Sequence, residues 1–569
     1  MRSIRPMETG LVLALLASFG CSTLQDAPDV RSGYAPAGLS TVGDGTEPMS
    51  LAPAAPSIVD TRTMPTVDRN APKKAPVVKK RLRPRLPIPD ELADNMRAAS
   101  AFLPPQDGVQ VLPDEPQIDR LAPALGLSFD SLDGLDNSGG FVPPDPEMAV
   151  GQNHVVVAVN SVFAIYNKNT GALEAGPIAF DTFFNSVGCS GTFDPNALYD
   201  EEHDRYFIGI DANNGTRYCF GASDDGNPNG SWAIYSIVTA TGGDFFDYPH
   251  AGVGDDAIFM GANTFLSAGG VRADLWAFDK ADMYAGTSVS FVTGNIAGDT
   301  PQPMNLHGFA QGTWPTDGIH YILNDFVFNG STVGVFAWED PFGLNSLSLV
   351  GTVSLNTATG VTAGSPIDMP QSGGGDIQGN DFRIQDAEYR NGHIWTTQTI
   401  GCNPGQGTVN CIRWAEIAPS GAGAPKVIQA GVFASTLSHR AFADLGVNHC
   451  GDMTIGYTRT SSSLFPAVWY TGRLSTDTPG LVQAEALLKA GEVTYVAFDT
   501  APRRWGDYTG GTSDPDGIRT WYLGEYSKNT GSSVVRWGNW VGEFSTPCVD
   551  IFKDGFESGD VTRWTGQNP

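Results

Sequence analysis

Seven times along the chain a polar two-residue turn is followed at once by a short run of β-branched and aromatic residues, and this repeat limits the possible folds most. The turns are Gln152-Asn153, His203-Asp204, Asp255-Asp256, Asp317-Gly318, Asn391-Gly392, Gly451-Asp452 and Asp516-Gly517. The runs after them include HVVVAVN, RYFIGI, AIFMGAN, IHYILND, HIWTTQ, MTIGYT and TWYLGEY. Each is bounded by turn formers and reads as a strand. The second turn residues are spaced by 51, 52, 62, 74, 60 and 65 positions. Before most turns lies another short run with an acidic residue at or near its start. Strand, turn, strand at such intervals is what four-stranded blades arranged radially require, because each blade buries both faces on its neighbours and closure leaves few edges. The expected fold class is all-β, a β-propeller of about seven four-stranded blades, with six or eight as alternatives. A β-helix would need a shorter, stricter period, and a sandwich far fewer strands. Helical composition is confined to Leu481–Leu488, which also reads as a strand.

The chain is 569 residues long with a formal net charge of −28, and 68 Gly and 39 Pro make it too turn-rich for a helical bundle. A charge of this sign excludes binding to nucleic acid or an anionic membrane through bulk electrostatics. Up to Arg120 acidic and basic residues balance at 14 each, so the whole excess lies beyond it. The expected organisation is a signal peptide over residues 1–21, a disordered Pro/Ala-rich linker over 22–122, the propeller over 123–548 and a tail over 549–569. Arg2 and Arg5 precede an apolar run, Leu11–Phe19, too short to span a bilayer, as in an export signal. The linker holds the basic run Lys79-Lys80-Arg81-Leu82-Arg83-Pro84-Arg85 and lacks the apolar periodicity of a packed core.

The chain has seven cysteines. With Cys21, at the end of the export signal, set aside, six remain: Cys189, Cys219, Cys402, Cys411, Cys450 and Cys548. In an exported protein these are read as three disulfides. Sequence neighbours suggest Cys189–Cys219 and Cys402–Cys411, leaving Cys450–Cys548 to fasten the chain end. No spacing suits a zinc site.

Local catalytic signatures are absent: no G-x-S-x-G elbow, H-E-x-x-H, P-loop or dinucleotide fingerprint occurs. The eight histidines are scattered, none paired at ligand spacing, and are expected to be structural or superficial. The repeat itself supplies the candidate site. Asp145, Asp194, Asp247, Asp444 and Asp507 stand seven to ten residues before their turns, and Asp381-Phe382-Arg383 holds the corresponding place in the fifth repeat. If equivalent, they converge on one axial mouth, a candidate binding site formed by Asp145, Asp194, Asp247, Arg383, Asp444 and Asp507. Such a ring has the chemistry to hold Ca²⁺ through hard oxygens, to bind a sugar beside Arg383, or to hydrolyse a glycosidic bond with two carboxylates. The competing reading is that each Asp satisfies local N–H groups where its strand begins. No cofactor other than Ca²⁺ is implied.

Several segments resemble known families. Ser18-Phe19-Gly20-Cys21 resembles a bacterial lipoprotein cleavage box, which implies acylation of Cys21, with Ser22 compatible with the outer membrane. The strings PPDPEMAVGQNHVVVAVNSVFAIYNKNTG, DYPHAGVGDDAIFMGANTF, DFRIQDAEYRNGHIWTTQT, GDMTIGYTRTSSSLFPAVWYTGR and RWGDYTGGTSDPDGIRTWYLGEY resemble a group of large secreted bacterial proteins with a propeller-like fold. That resemblance covers about residues 125–548 and implies secretion and fold, with no reaction attached. The tail Asp550–Trp564, DIFKDGFESGDVTRW, is similar to a short C-terminal segment of many exported proteobacterial proteins. Asp224 to Trp232 resembles the turn-and-Trp box of sialidase-type propellers, which implies a structural hairpin. Glu525-Tyr526 is similar to a sialidase pairing, but adjacent strand residues face opposite ways.

These readings give an exported protein, an outer-membrane lipoprotein or extracellular, that is monomeric and touches membrane only through Cys21. Its propeller is expected to be a binding and interaction platform for a surface glycan or protein. The alternatives are a glycan-active hydrolase or lyase at the axial mouth, and a structural envelope protein whose channel is packed shut by apolar side chains.

Overall fold

A computed structural model describes residues 49–70, 86–114, 122–137 and 142–548. Cys21, the basic run at 79–85 and the tail from 549 lie outside the described residues. The strands form seven sheets, each with antiparallel meander pairing at its centre. All seven turns singled out above sit between the first and second strands of their blades, or just before the second strand in blade 4. Blade 1 begins at Glu147–Val150, blade 2 at Phe193–Asp200, blade 3 at Phe245–Val253 and blade 4 at Asp299–Pro303. Blades 6 and 7 begin at His439–Val447 and Gly510–Ser513. The first strands of neighbouring blades touch from blade 5 through 6, 7, 1, 2 and 3 to 4, and blade 4 meets blade 5 where Gln302 Nε2 donates to the Ile384 carbonyl at 3.1 Å, so the ring is closed. Second strands such as HVVVAV (His154–Val159) are buried almost throughout because a blade lies on each side of them, which is why they read as unbroken apolar runs.

The seam lies in blade 7. Its outermost strand is Ala124–Asp133, which precedes blade 1 in sequence and pairs antiparallel with Trp537–Ser545. Both ends of the propeller therefore share one sheet. The disulfides pair as expected: Cys189–Cys219, Cys402–Cys411 and Cys450–Cys548. Disulfides of this kind are consistent with an exported protein. Among the described residues no helix is long and apolar enough to cross a membrane.

The expected linker over 22–122 is corrected where it is described. Ser57–Asp60 adds a fifth strand to blade 2, Met49–Ser50 extends blade 3, and Val109–Val111 runs parallel to the outer strand of blade 5. These pieces are too short to show periodicity, and they are ordered by pairing with blade edges that would otherwise present unpaired backbone groups. Asp90–Ser100 forms a helix with Asp90 and Glu91 in its first turn and Arg97 in its last, matching the helix dipole. Leu481–Leu488 contains no helix; Ala486–Lys489 is the outer strand of blade 6. The Asp224–Gly230 turn does join two blade 2 strands, and the Trp232 indole N–H donates to the Pro228 carbonyl at 2.8 Å.

One connection departs from the regular meander. After its first strand, blade 4 sends Asn305–Leu306 across to lie parallel with Glu388–Arg390 of blade 5 before returning for Ile319–Val327. Blade 5 thus has a borrowed innermost strand, and the residues after it are carried toward the axis.

Candidate functional site

The first strands share a local device. Asp145, Asp194, Tyr248, Thr300 and Phe442 all have positive φ, between 44° and 61°. The first four are each followed by proline: Asp145-Pro146, Asp194-Pro195, Tyr248-Pro249 and Thr300-Pro301. In blades 2, 3, 4 and 6 the pairing register slips at this residue, as in a β-bulge. A bulge bends the strand and re-aims the next side chain. Glu147, Asn196 and His250, each two residues on, line a cavity on the axis.

This register corrects the proposed equivalence. Asp145 and Asp194 do correspond. Asp247 precedes its bulged residue by one position and Asp444 follows its own by two, because blades 3 and 6 place Tyr248 and Phe442 where blades 1 and 2 place aspartate. Turn-based counting missed this, since a bulge adds a residue without changing the turn.

Asp145, Asp194, Asp507 and Arg383 nevertheless meet at one end of the axis. Asp145 accepts from the Asp507 backbone N–H at 2.8 Å and from Asn160 Nδ2 at 2.7 Å. The Asp194 N–H donates to Asn160 Oδ1 at 2.6 Å, and the Tyr248 N–H donates to Asp194 Oδ2 at 3.3 Å. Asp507 pairs with Arg504 and accepts from Asn380 Nδ2 at 3.2 Å. Arg383 is held by Asp381 at 2.7 Å and lies over the Tyr248 ring at 4.3 Å. These bonds run from blade 7 to blades 1, 2 and 3, so the hub carboxylates stitch the ring. Burial, with Asp507 and Asp194 nearby, drives the Asp145 carboxyl well above the usual range. Glu525 points toward this hub while Tyr526 donates to Asp130 on the other side, as strand alternation requires. Asp247 lies beside Asp194 and Asp211, their oxygens all within 4.8 Å of one another.

Asp444 belongs to the deeper layer. It accepts from the Leu445 and Gly511 N–H groups at 2.7 and 2.6 Å. Burial raises its pKa well above normal, reinforced by Asp386, Glu147 and Glu388. Glu147 and Asp386 keep partial exposure to the axial cavity, and burial and mutual repulsion push their carboxyls up as well. The cavity is about 20 Å³, room for a water or two. Glu147, Glu201, His307, Asp386 and Glu388 stand in its lining among apolar residues such as Met148 and Leu198, so it is not the apolar plug expected of a purely structural channel.

The borrowed strand delivers His307 into this layer, a residue the sequence reading assigned no role. Its Nδ1 lies 3.1 Å from Glu201 and its Nε2 contacts Glu388. Glu201 also accepts from the Gly308 and Phe309 N–H groups at 2.9 and 3.0 Å. Burial alone would lower the imidazole pKa, but Glu388 and Glu201 outweigh it and hold it up at about 10. A raised histidine stabilises the fold fully below its unfolded value near 6.5 and loses that contribution as pH climbs through 10. Wild type should therefore lose stability between pH 6.5 and 10, whereas His307→Gln should be less stable by about 2 kcal/mol at pH 6 and converge with it by pH 10. Urea midpoints taken across that range decide it; a constant gap would refute the charged state. His250 behaves oppositely, since burial and then Arg383 hold it neutral with a pKa of about 3.

No family model and no curated protein matches this chain. Solved structures similar to it include the polysaccharide lyase Uly1, at 12% identity and a TM-score of 0.34, covering 71% of this chain and 90% of that one. The WD40 domain of SCAP from fission yeast matches at 8% identity and a TM-score of 0.31, over 79% and 95% of the two chains. A subtype N10 neuraminidase-like protein from A/little yellow-shouldered bat matches at 7% and 0.31, over 60% and 94%. At these scores the likenesses carry no argument about activity; the propeller is established by its seven sheets and closed ring.

Proposed function

We propose that this protein is an exported β-propeller that serves as a binding platform at the cell surface and does not act as a hydrolase at its axis. The observation that carries this reading is the use of the axial carboxylates. Asp145 accepts from the Asp507 N–H of blade 7, Asp194 from the Tyr248 N–H of blade 3 and Asp507 from Asn380 across the hub, and the cavity beyond them has room for a water or two and not for a sugar ring. A glycosidase needs two carboxyl groups on either side of an accessible bond, and buried groups engaged with backbone amides do not provide that. Recognition is then left to the outer surface, where loops vary without disturbing the hub. In this reading acylated Cys21 tethers the body to the membrane; an alkyne fatty acid should label wild type and spare Cys21→Ser.

The test is turnover. Purified protein incubated with neutral and uronate polysaccharides should release no reducing ends and form no unsaturated products absorbing near the ultraviolet. Turnover abolished by Glu147→Gln or Asp386→Asn would overturn the platform reading in favour of an axial enzyme. Asp145→Asn addresses the stitching role separately. It keeps the shape but replaces one acceptor oxygen with a donor facing the Asp507 N–H or Asn160, and should cost about 1–3 kcal/mol in urea denaturation.

A further inference from the structure

The turn-bearing face carries a second concavity, far larger than the axial cavity. It lies between blades 4 and 5, with a volume of about 510 Å³, within the range of small-molecule sites. Three connections build it: the Gly312–Asp317 stretch returning from the borrowed strand, the Asn391-Gly392 turn, and the Pro419-Ser420 turn. Trp314, Tyr321 and Tyr389 supply its aromatic lining, and Asp317, Asn391 and Ser420 its exposed polar groups.

Its parts are fixed before any ligand arrives. Trp314 is only 9% exposed, with Lys280 Nζ 5.3 Å from its ring centroid and Phe309 packed edge-on at 5.1 Å. Lys280 is itself anchored on Asp200 at 2.8 Å and the Gly254 carbonyl at 2.9 Å. Ser420 and Asp317 lie close enough to the Tyr321 hydroxyl to bear on its ionisation. The Trp314 indole N–H has no hydrogen-bond partner among the described residues, an unusual state for a buried donor.

We infer that this groove binds a neutral saccharide, an inference that rests on the platform reading and gives it a ligand class. The rims of Trp314, Tyr321 and Tyr389, 9%, 4% and 5% exposed, give the floor a narrow apolar strip for the C–H groups of a sugar ring, while Asp317, Asn391 and Ser420 supply acceptors and donors for its hydroxyls. No lysine, arginine or histidine lines the groove, and the chain carries a net charge of −28. Uronates, sulfated glycans and phosphorylated ligands therefore meet a carboxylate and a repulsive field rather than a counter-charge.

The experiment is calorimetric titration, with tryptophan fluorescence in parallel, using cellohexaose, xylohexaose, laminarihexaose, maltohexaose, mannohexaose and, as the anionic comparison, hexagalacturonate. At least one neutral hexasaccharide should bind and hexagalacturonate should not. Asp317→Ala, at an exposed turn position, should weaken binding by about tenfold, and Trp314→Phe should weaken it and remove the fluorescence change. Leu437→Ser, at an exposed site elsewhere, should bind as wild type; thermal midpoints confirm that each variant is folded. No binding by any neutral hexasaccharide, binding of hexagalacturonate alone, or binding indifferent to Asp317→Ala and Trp314→Phe would overturn the inference while leaving the platform reading intact. Cleavage of a bound hexasaccharide would instead overturn the platform.

Discussion

Glu485→Ala should cost about 3–5 kcal/mol of stability, far more than the loss of any surface charge on this protein. Glu485 comes from the stretch leading into the outer strand of blade 6 and is almost completely buried. Its carboxylate accepts from Arg440 Nε and Nη2 at 2.8 and 2.6 Å, from the Tyr457 hydroxyl at 2.6 Å and from Arg459 Nη1 at 3.3 Å. Burial opposes the charge, yet Arg440 and then Arg459 still hold the carboxyl below its usual range. Removing it leaves two buried guanidinium groups facing one another, with Ser435, Ser438 and the Asp114 carbonyl as acceptors and the partly exposed Asp114 carboxylate, 3.6 Å from Arg459, as the one remaining counter-charge among the described residues. The comparison is Glu492→Ala, whose partner Lys489 lies at 2.8 Å but in a partly exposed pair, and which should cost under about 1 kcal/mol. Urea denaturation of the two variants decides between them; equal losses would mean that the network is incidental. The sign with pH follows from the lowered pKa: the Glu485 contribution is present above its unfolded value near 4.5 and is lost as pH falls through the folded one. Replacing Arg440, Glu485 and Arg459 together by apolar residues should cost much less than Glu485→Ala, because no orphaned charge remains.

Such a network also marks where the sequence stopped being informative. The wheel was legible because each inner turn is local chemistry: Asn391-Gly392 or Asp516-Gly517 followed by a β-type run needs no distant partner to be recognised. Disulfide pairing was legible for Cys402–Cys411, on neighbouring strands of blade 5 either side of one turn, and for Cys189–Cys219, which ties the connection entering blade 2 to that blade's third strand, because in each case the partner is close in sequence. The borrowed strand Asn305–Leu306 was not, since two residues carry no periodicity and their pairing with Glu388–Arg390 spans some eighty positions. His307 therefore stood in the sequence as one histidine among eight. Asp444 was misplaced by a bulge, a feature invisible to counting from turns. Residues 49–60 looked like linker because their order comes from the blade edges they cover and not from their own composition. The groove between blades 4 and 5 takes its residues from three separate connections, and only the Asp317 and Asn391 turns among them had been noticed, as turns.

Loss of the Cys450–Cys548 bridge should be the most damaging of the three possible disulfide removals. The two cysteines are 98 positions apart, against 9 for Cys402–Cys411. In the chain-entropy account a closed loop of about 100 residues is worth roughly 4.7 kcal/mol, and one of fewer than 15 residues under about 3 kcal/mol. Position should widen the difference. Cys450 sits in the inner turn of blade 6 and Cys548 just after the last strand of blade 7, so the bridge clamps the composite blade on which ring closure depends. Hydrogen bonds join the same two blades beside it: Thr546 donates to Asp452 at 2.6 Å, Asn448 donates to Thr546 at 2.9 Å and to the Ile518 carbonyl at 3.2 Å, and the His449 N–H donates to the Gly517 carbonyl at 2.7 Å. Cys450→Ala/Cys548→Ala should thus lower the urea midpoint more than Cys402→Ala/Cys411→Ala, and the reverse order would sink the argument. Amide exchange supplies a second reading. If blade 7 is the seam, its Trp537–Ser545 and Ala124–Asp133 strands should lose protection together in the Cys450/Cys548 variant. The Asp507 N–H, which closes the hub on Asp145, should follow them, while the blade 3 ladder Phe245–Val253 keeps its own. Loss of protection spread evenly over all seven blades would instead mean that the ring opens as one unit.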